Sequence, residues 1–176
     1  MAFSAAFGLV LSSIIYAPST SVAANNLQIK QVQTADLTAK AVFSLSKKKE
    51  IILKKYENSH SLNDKQLKEL LWAVGFEGKK LKEAWAIAKK ESNGRPFAFN
   101  GNTSTGDSSY GIFQINMLGI LGPDRREKFE LDHNADLFNP VLNAKIAFHM
   151  SNGGQNWSAW KGITPRTLEL MKGFPL

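Results

Sequence analysis

Cysteine is absent from all 176 residues. That excludes a disulfide framework and any thiolate metal site. Histidine is scarce as well: His60, His133 and His149 stand apart, with no HxxxH or HExxH spacing. No structural metal is expected, and nothing in the chain asks for a cofactor. Internal repeats and low-complexity tracts are missing too. What is present, 43% hydrophobic and 21% charged residues, suits one compact domain with appendages, large enough to bury a core without staples.

Acidic residues are outnumbered, and the formal net charge is +7. Between Asn25 and His60, seven lysines (Lys30, Lys40, Lys47, Lys48, Lys49, Lys54, Lys55) face three acids (Asp36, Glu50, Glu57). Such a balance draws a protein toward nucleic acid, an anionic membrane or an anionic cell wall, and charge alone does not choose among them. The plainer account of the 47–55 cluster is a solvated, lysine-rich connector. Residues 25–60 are accordingly read as a helical linker or stalk.

The first 24 residues form a segment of their own. Ala2 to Ala17 carry no charge, and the run is shorter than the roughly 20 residues a spanning helix needs. Pro18 breaks it, and Ser21-Val22-Ala23-Ala24 supplies small residues of the kind signal peptidase accepts. No Lys or Arg precedes the apolar run, so two readings stay open: a cleaved secretory signal or a short apolar anchor.

Residues 61–176 read as the domain proper. Asn63 is placed to N-cap a helix, Gln66 sits at the capping-box position, and Leu62 with Leu67 can form a hydrophobic staple. Leu67, Leu70, Leu71 and Val74 give the apolar stripe, and Gly75 ends it. A second helix is expected from about Lys79 to Ser92, stopped by Asn93-Gly94 with Pro96 beyond. From Phe97 to Asn116 the texture changes to short alternating pieces broken at Asn100-Gly101 and Gly106-Asp107, which suggests a small β-ribbon. Gly119 and Gly122-Pro123 are expected to break the chain again. Asn139-Pro140 opens a further helix closed by Gly153-Gly154, and Thr164-Pro165 a short last one. The fold class is mainly α, an α+β domain with one small β-element.

One side chain breaks the pattern. Leu81, Ala84, Trp85 and Ala88 recur at helical spacing, and Glu91 is the next member of that apolar row. At a helix C-terminus a carboxylate meets the negative end of the dipole, and apolar neighbours add a desolvation penalty. Both favour a protonated carboxyl able to serve as a general acid. The competing account makes Glu91 a capping or ion-paired residue beside Lys89 or Lys90.

Four motifs together carry a family resemblance: Glu91-Ser92, then Ser109-Tyr110-Gly111-Ile112-Phe113-Gln114-Ile115-Asn116, then Asn143-Ala144-Lys145, then Asn156-Trp157-Ser158-Ala159-Trp160. In order and spacing, from about Leu62 to Gly162, they resemble the lysozyme-like superfamily, with soluble lytic transglycosylase domains and phage-type cell-wall lysins nearest in style. The resemblance implies a catalytic acid at Glu91 and a sugar cleft lined by Ser92, Asp107, Ser109, Tyr110, Gln114 and Asn116. It also implies an indole, Trp157, that walls the acid's pocket. Peptidoglycan glycan strands would be the partner. The implied setting is secreted, at the cell wall, or virion-associated, for a monomer without stable membrane insertion once a signal is removed.

The second carboxylate decides the reaction. Animal-type lysozymes carry an aspartate directly before the Tyr-Gly pair, where this chain has Ser109. Asp107 lies two residues earlier and, in an extended strand, would share its face. Either Asp107 is a displaced second carboxylate, giving a hydrolytic muramidase, or it belongs to a polar turn and Glu91 acts alone. With one acid the resemblance implies a lytic transglycosylase that yields 1,6-anhydro sugars. A third reading is a cationic wall-binding module without turnover. Nucleic-acid binding is not expected, because the lysines fall outside the domain with no aromatic residues interleaved. Trp72, Trp85 and Trp160 read as core, and Arg125 and Arg126 as partners for Asp132, Asp136 or helix ends.

Overall fold

A computed structural model describes residues 20–176 of the chain, without the side chains of residues 20–25 and 103. The signal-like segment therefore lies, up to residue 19, outside the described residues. Among those described, no helix is long and apolar enough to cross a membrane. The chain divides into two compact units after Val42. In the first unit the helix α1 (Thr20–Tyr56) is exposed at every residue from 26 to 42. Its Thr34 and Thr38 hydroxyls bond back to the carbonyls of Lys30 and Thr34, each at 2.8 Å.

The second unit begins at Phe43. The last turns of α1 belong to it: Ile52 and Tyr56, four residues apart and so on one helical face, are 6% and 2% exposed and join the core. The stretch read from sequence as a linker over 25–60 thus divides. Its second half contributes packing, because two apolar side chains among the lysines share a face. Helix α2 (Asp64–Val74) starts as expected, with the Asn63 side chain and the Gln66 side chain each accepting the other's backbone N–H at 2.9 Å. It ends at Gly75, whose φ of 130° no other residue adopts readily.

Helix α3 (Gly78–Ser92) runs through the middle of the unit. Ala84, Trp85, Ala86, Ile87 and Ala88 are all 2% exposed or less, so this part of the helix is covered on every side. The alanines permit it, because short side chains let α2 and α6 (Pro165–Lys172) pack close. Asn93 stops the helix in the left-handed conformation, and the Asn93 and Gly94 amides return to the carbonyls of Lys89 and Ala88.

The ribbon consists of three two-residue strands, β1 (Phe99–Asn100), β2 (Ser109–Tyr110) and β3 (Ile115–Asn116), antiparallel in that order. Phe99 pairs with Tyr110, and Tyr110 with Ile115. Strands this short do not hold together unaided. Helix α5 (Pro140–Met150) holds them through Asn143, which is fully buried. Its amide donates to the carbonyls of Tyr110 and Leu137, and its carbonyl oxygen accepts the Phe113 N–H, all at 2.9 Å. Gly111, at φ 74°, lies so close that a Cβ there would sit 2.3 Å from both the Asn143 amide nitrogen and the Leu137 carbonyl.

Helix α4 (Leu121–Phe129) corrects the expected chain break at Gly122-Pro123. Both residues fall in its first turn, where proline's missing N–H costs nothing. Gly122 is needed for a close approach, since a Cβ would meet the Met117 carbonyl at 2.7 Å. An aromatic cluster fills the space between ribbon and helices. Trp157 stacks on Phe76 and Phe113 at 5.9 and 6.2 Å between ring centroids, and Trp160 meets it edge-on at 5.4 Å.

Two predictions follow from these contacts. Asn143→Ala would strand two carbonyls and one N–H in the core and should cost about 3 kcal/mol or more. It would be seen as a lower urea midpoint at unchanged slope. Glu69 accepts hydrogen bonds from the Tyr56 hydroxyl and, at 3.0 Å, from Lys55, and these hold its carboxyl below the usual range. A depressed carboxylate stabilises the fold fully above its unfolded-state pKa, and the gain is lost as pH falls through the lower folded value. Melting curves of Glu69→Gln should therefore lie below wild type at neutral pH and converge with it in acid.

Candidate active site at the end of the central helix

The buried run Ala84–Ala88 fixes where α3 emerges, and Glu91 stands on the last turn before the Asn93 stop. Its side chain is 24% exposed, and Oε1 lies 3.1 Å from Lys90 Nζ. The ion-paired partner weighed in the sequence is therefore present, and it is Lys90. Lys89 turns instead to Asp64, at 2.8 Å. Lys90 Nζ also donates to the Trp160 carbonyl at 2.8 Å, while Trp160 Nε1 donates to the Phe113 carbonyl at 2.7 Å. A continuous chain of polar contacts thus links the tip of the ribbon, the aromatic cluster and the carboxylate.

Ser92 supplies the second link. It is 4% exposed, and its hydroxyl bonds the Ile112 carbonyl at 2.7 Å and the Ala88 carbonyl at 3.3 Å. Rather than facing a cleft, it pins the ribbon to the end of α3. The Ser92 carbonyl in turn accepts from Arg95 Nε at 3.0 Å.

The ribbon residues separate into two sets. Ser109 is 3% exposed and donates its hydroxyl to Asp107 Oδ1 at 2.6 Å. The Asp107 carboxylate, half-buried, is thereby engaged within its own turn. Tyr110 is half-buried, its ring set between Phe99 and Phe138 at 4.9 and 5.4 Å. Gln114 is held at φ 47° with its amide donating to the Ala98 and Gly111 carbonyls, each at 3.0 Å. Asn116 accepts from the Ser108 and Leu118 N–H groups and donates to the Gly106 carbonyl at 2.8 Å. These amides brace the turns, and Tyr110, Gln114 and Asn116 stay partly open to solvent.

Trp157 sits in the core among the aromatic rings. At 5% exposure, with Phe76 and Phe113 stacked on it, it offers no ring face to a sugar. Its Nε1 is buried without a hydrogen-bond partner. The two arginines find partners other than the aspartates weighed in the sequence. Arg125 donates to the Asn116 carbonyl, and burial pushes its guanidinium below the usual arginine range. Arg126 donates to Asn134 Oδ1 at 2.6 Å. Neither meets Asp132 or Asp136 in an ion pair.

Sequence reasoning missed two contacts, the bracing amide of Asn143 and the Lys90 bond to the Trp160 carbonyl. A signal existed for the first: an asparagine among Val141, Leu142, Ala144 and Ile146 is anomalous on an apolar helix. Among the described residues, no group of three or more His, Asp or Glu converges to hold a metal ion.

Known proteins resemble this chain in sequence. The family profile described as a lysozyme-like domain matches residues 68–162. A milk isozyme of lysozyme C from Canis lupus familiaris is 35% identical over 96 residues, covering 49% of this chain and 72% of that protein. The milk isozyme from Equus caballus is 29% identical over 118 residues, 62% of this chain and 85% of its own. No solved structure matches. The matched segment runs from within α2, through α3 and the ribbon, to the turn after Trp160. With more than half its length inside that profile, the chain belongs to the lysozyme-like domain family.

Proposed function

We propose that this protein cleaves the MurNAc-β-1,4-GlcNAc bond of peptidoglycan as a lytic transglycosylase, with Glu91 as the sole catalytic carboxylate. The observation that carries the reading is the pair Ser109 and Asp107. At the register position before Tyr110-Gly111 a buried hydroxyl replaces a carboxylate. That hydroxyl also occupies the nearest acid at 2.6 Å. Glu91, paired with Lys90 at 3.1 Å, is partly exposed at the end of a buried helix, where an acid can reach a substrate oxygen.

In this mechanism Glu91 gives its proton to the bridging oxygen, and the glycosidic C1–O bond breaks. The substrate's N-acetyl oxygen shares the positive charge at C1. The same carboxylate, now a base, takes the proton from the muramic acid 6-hydroxyl as that oxygen bonds to C1. The product is a 1,6-anhydro end, and no water is consumed. Tyr110, Gln114 and Asn116 are the ribbon residues that would contact sugar, while Ser92, Ser109 and Trp157 shape the site from beneath. Such a substrate sets the place of action outside the cytoplasm, and the apolar segment 1–24 is assigned as the export signal or anchor.

A second reading is favoured by the relatives, which are named lysozymes: hydrolysis with Asp107 as second carboxylate. Retaining glycosidases place two carboxyls about 5 Å apart and inverting ones roughly 6.5–9.5 Å. Mass spectrometry of digested murein separates the two. Anhydro-muropeptides are expected from wild type, and reducing ends alone would refute the lyase. Glu91→Gln should lower murein release by about a thousandfold or more, the scale of losing a positioned acid, with binding to sacculi retained. Equal release by wild type and variant would remove Glu91 from the chemistry. Asp107→Asn should retain release within about tenfold under the single-acid mechanism, whereas abolition with intact folding would favour hydrolysis.

A further inference from the structure

Away from the proposed catalytic residues, the end of α1 and the start of α2 enclose a groove of about 580 Å³. Lys48 and Lys55 line it from α1, and Lys65, Lys68, Glu69 and Trp72 from α2. The lysine spacings are helical, seven apart on one helix and three apart on the other, so each set shares a face. Four lysines against one glutamate leave the lining strongly positive. Lys55 is engaged by Glu69 at 3.0 Å and Lys68 by the Pro175 carbonyl at 2.9 Å. Lys48 and Lys65 form no ion pair among the described residues. Leu81 also borders the groove, and Glu91 lies ten residues further along the same helix, about 15 Å away at 1.5 Å per residue.

We infer that this groove binds a phosphodiester-linked polyol chain, an anionic polymer of the wall, and anchors the protein beside its glycan substrate. The cations are all lysines. A lysine ammonium is a compact point charge that binds phosphate oxygens without the fixed bidentate geometry an arginine fork imposes. Lys48 and Lys55 span about 10 Å of helix, which matches a ligand bearing repeated charges rather than one. Single-stranded nucleic acid, which also carries phosphates, fits less well because its binding sites stack bases on free aromatic faces. Tyr56 is buried, and Lys48 and Lys49 lie over the Trp72 ring at 5.6 and 5.1 Å. The choice of a wall polymer rests on the proposed peptidoglycan activity; the anion site itself does not.

Trp72 provides the test, because Trp85, Trp157 and Trp160 are buried and it is not. Titrating the full chain with purified poly(glycerol phosphate) should give a saturable change in indole fluorescence that Trp72→Phe removes. The double variant Lys48→Gln/Lys65→Gln should bind at least about fivefold more weakly. Its plot of log affinity against log salt should flatten by up to about two. Its circular dichroism and its murein release from polymer-free sacculi should match wild type. Glu91→Gln should bind the polymer as wild type does, so loss of catalysis and loss of anchoring are read separately. Unchanged affinity in the double variant overturns the site. Equal binding of poly-glutamate of the same length overturns the phosphate assignment, and tighter binding of a single-stranded oligonucleotide replaces the polymer with nucleic acid.

Discussion

The buried amide of Asn143 is the contact on which the ribbon depends. Three strands of two residues each cannot supply the cooperativity of a sheet, yet every proposed sugar-facing residue sits on them or in the turn between two of them. One asparagine, with both donors and its acceptor satisfied, supplies what the strands lack. In a low-dielectric interior such a group is strongly favourable when complete and costly when broken. Gly111 is part of the same device, because only a residue without Cβ lets the ribbon come this close to α5.

The second constraint is the central helix. A helix covered on all sides cannot rock or translate without opening the core, so its end is a stable mount for a reactive group. Glu91 is there, one turn past a run of buried alanines. Ser92 bonds the ribbon to the same helix end, and Lys90 reaches it through Trp160. The proposed acid and the proposed sugar platform are therefore fixed to each other by contacts that touch no substrate. In this arrangement Trp157 supports the site by stacking, an outcome of its packing against Phe76 and Phe113 rather than of any exposed face.

Charge is organised on a different part of the same unit. The lysines of α1 read in sequence as a solvated connector because nothing local to them needs a partner. In the fold they meet Trp72 and Glu69 of α2 and Glu77 at the start of α3. Pairing across two helices leaves a surplus of positive charge at one groove.

Much of the architecture was legible because its signals are local. The Asn63–Gln66 capping box, the Asn139-Pro140 and Thr164-Pro165 starts, the Asn93 stop and the turn-rich ribbon each need only neighbouring residues to take effect. So does the anomaly of Glu91, a carboxylate in an apolar row at a helix end. Helix α4 was missed because Gly122-Pro123 means a break in most contexts, and only the close approach to Met117 shows why they open a helix here. Whether Trp157 and Ser92 face solvent, whether Asp107 is engaged by Ser109, and whether the α1 lysines stand alone are questions of long-range packing. By itself the sequence determined the helices other than α4, their caps and the carboxylate at the end of one of them. The tertiary structure decided which side chains are buried beside that carboxylate, because burial depends on partners tens of residues away.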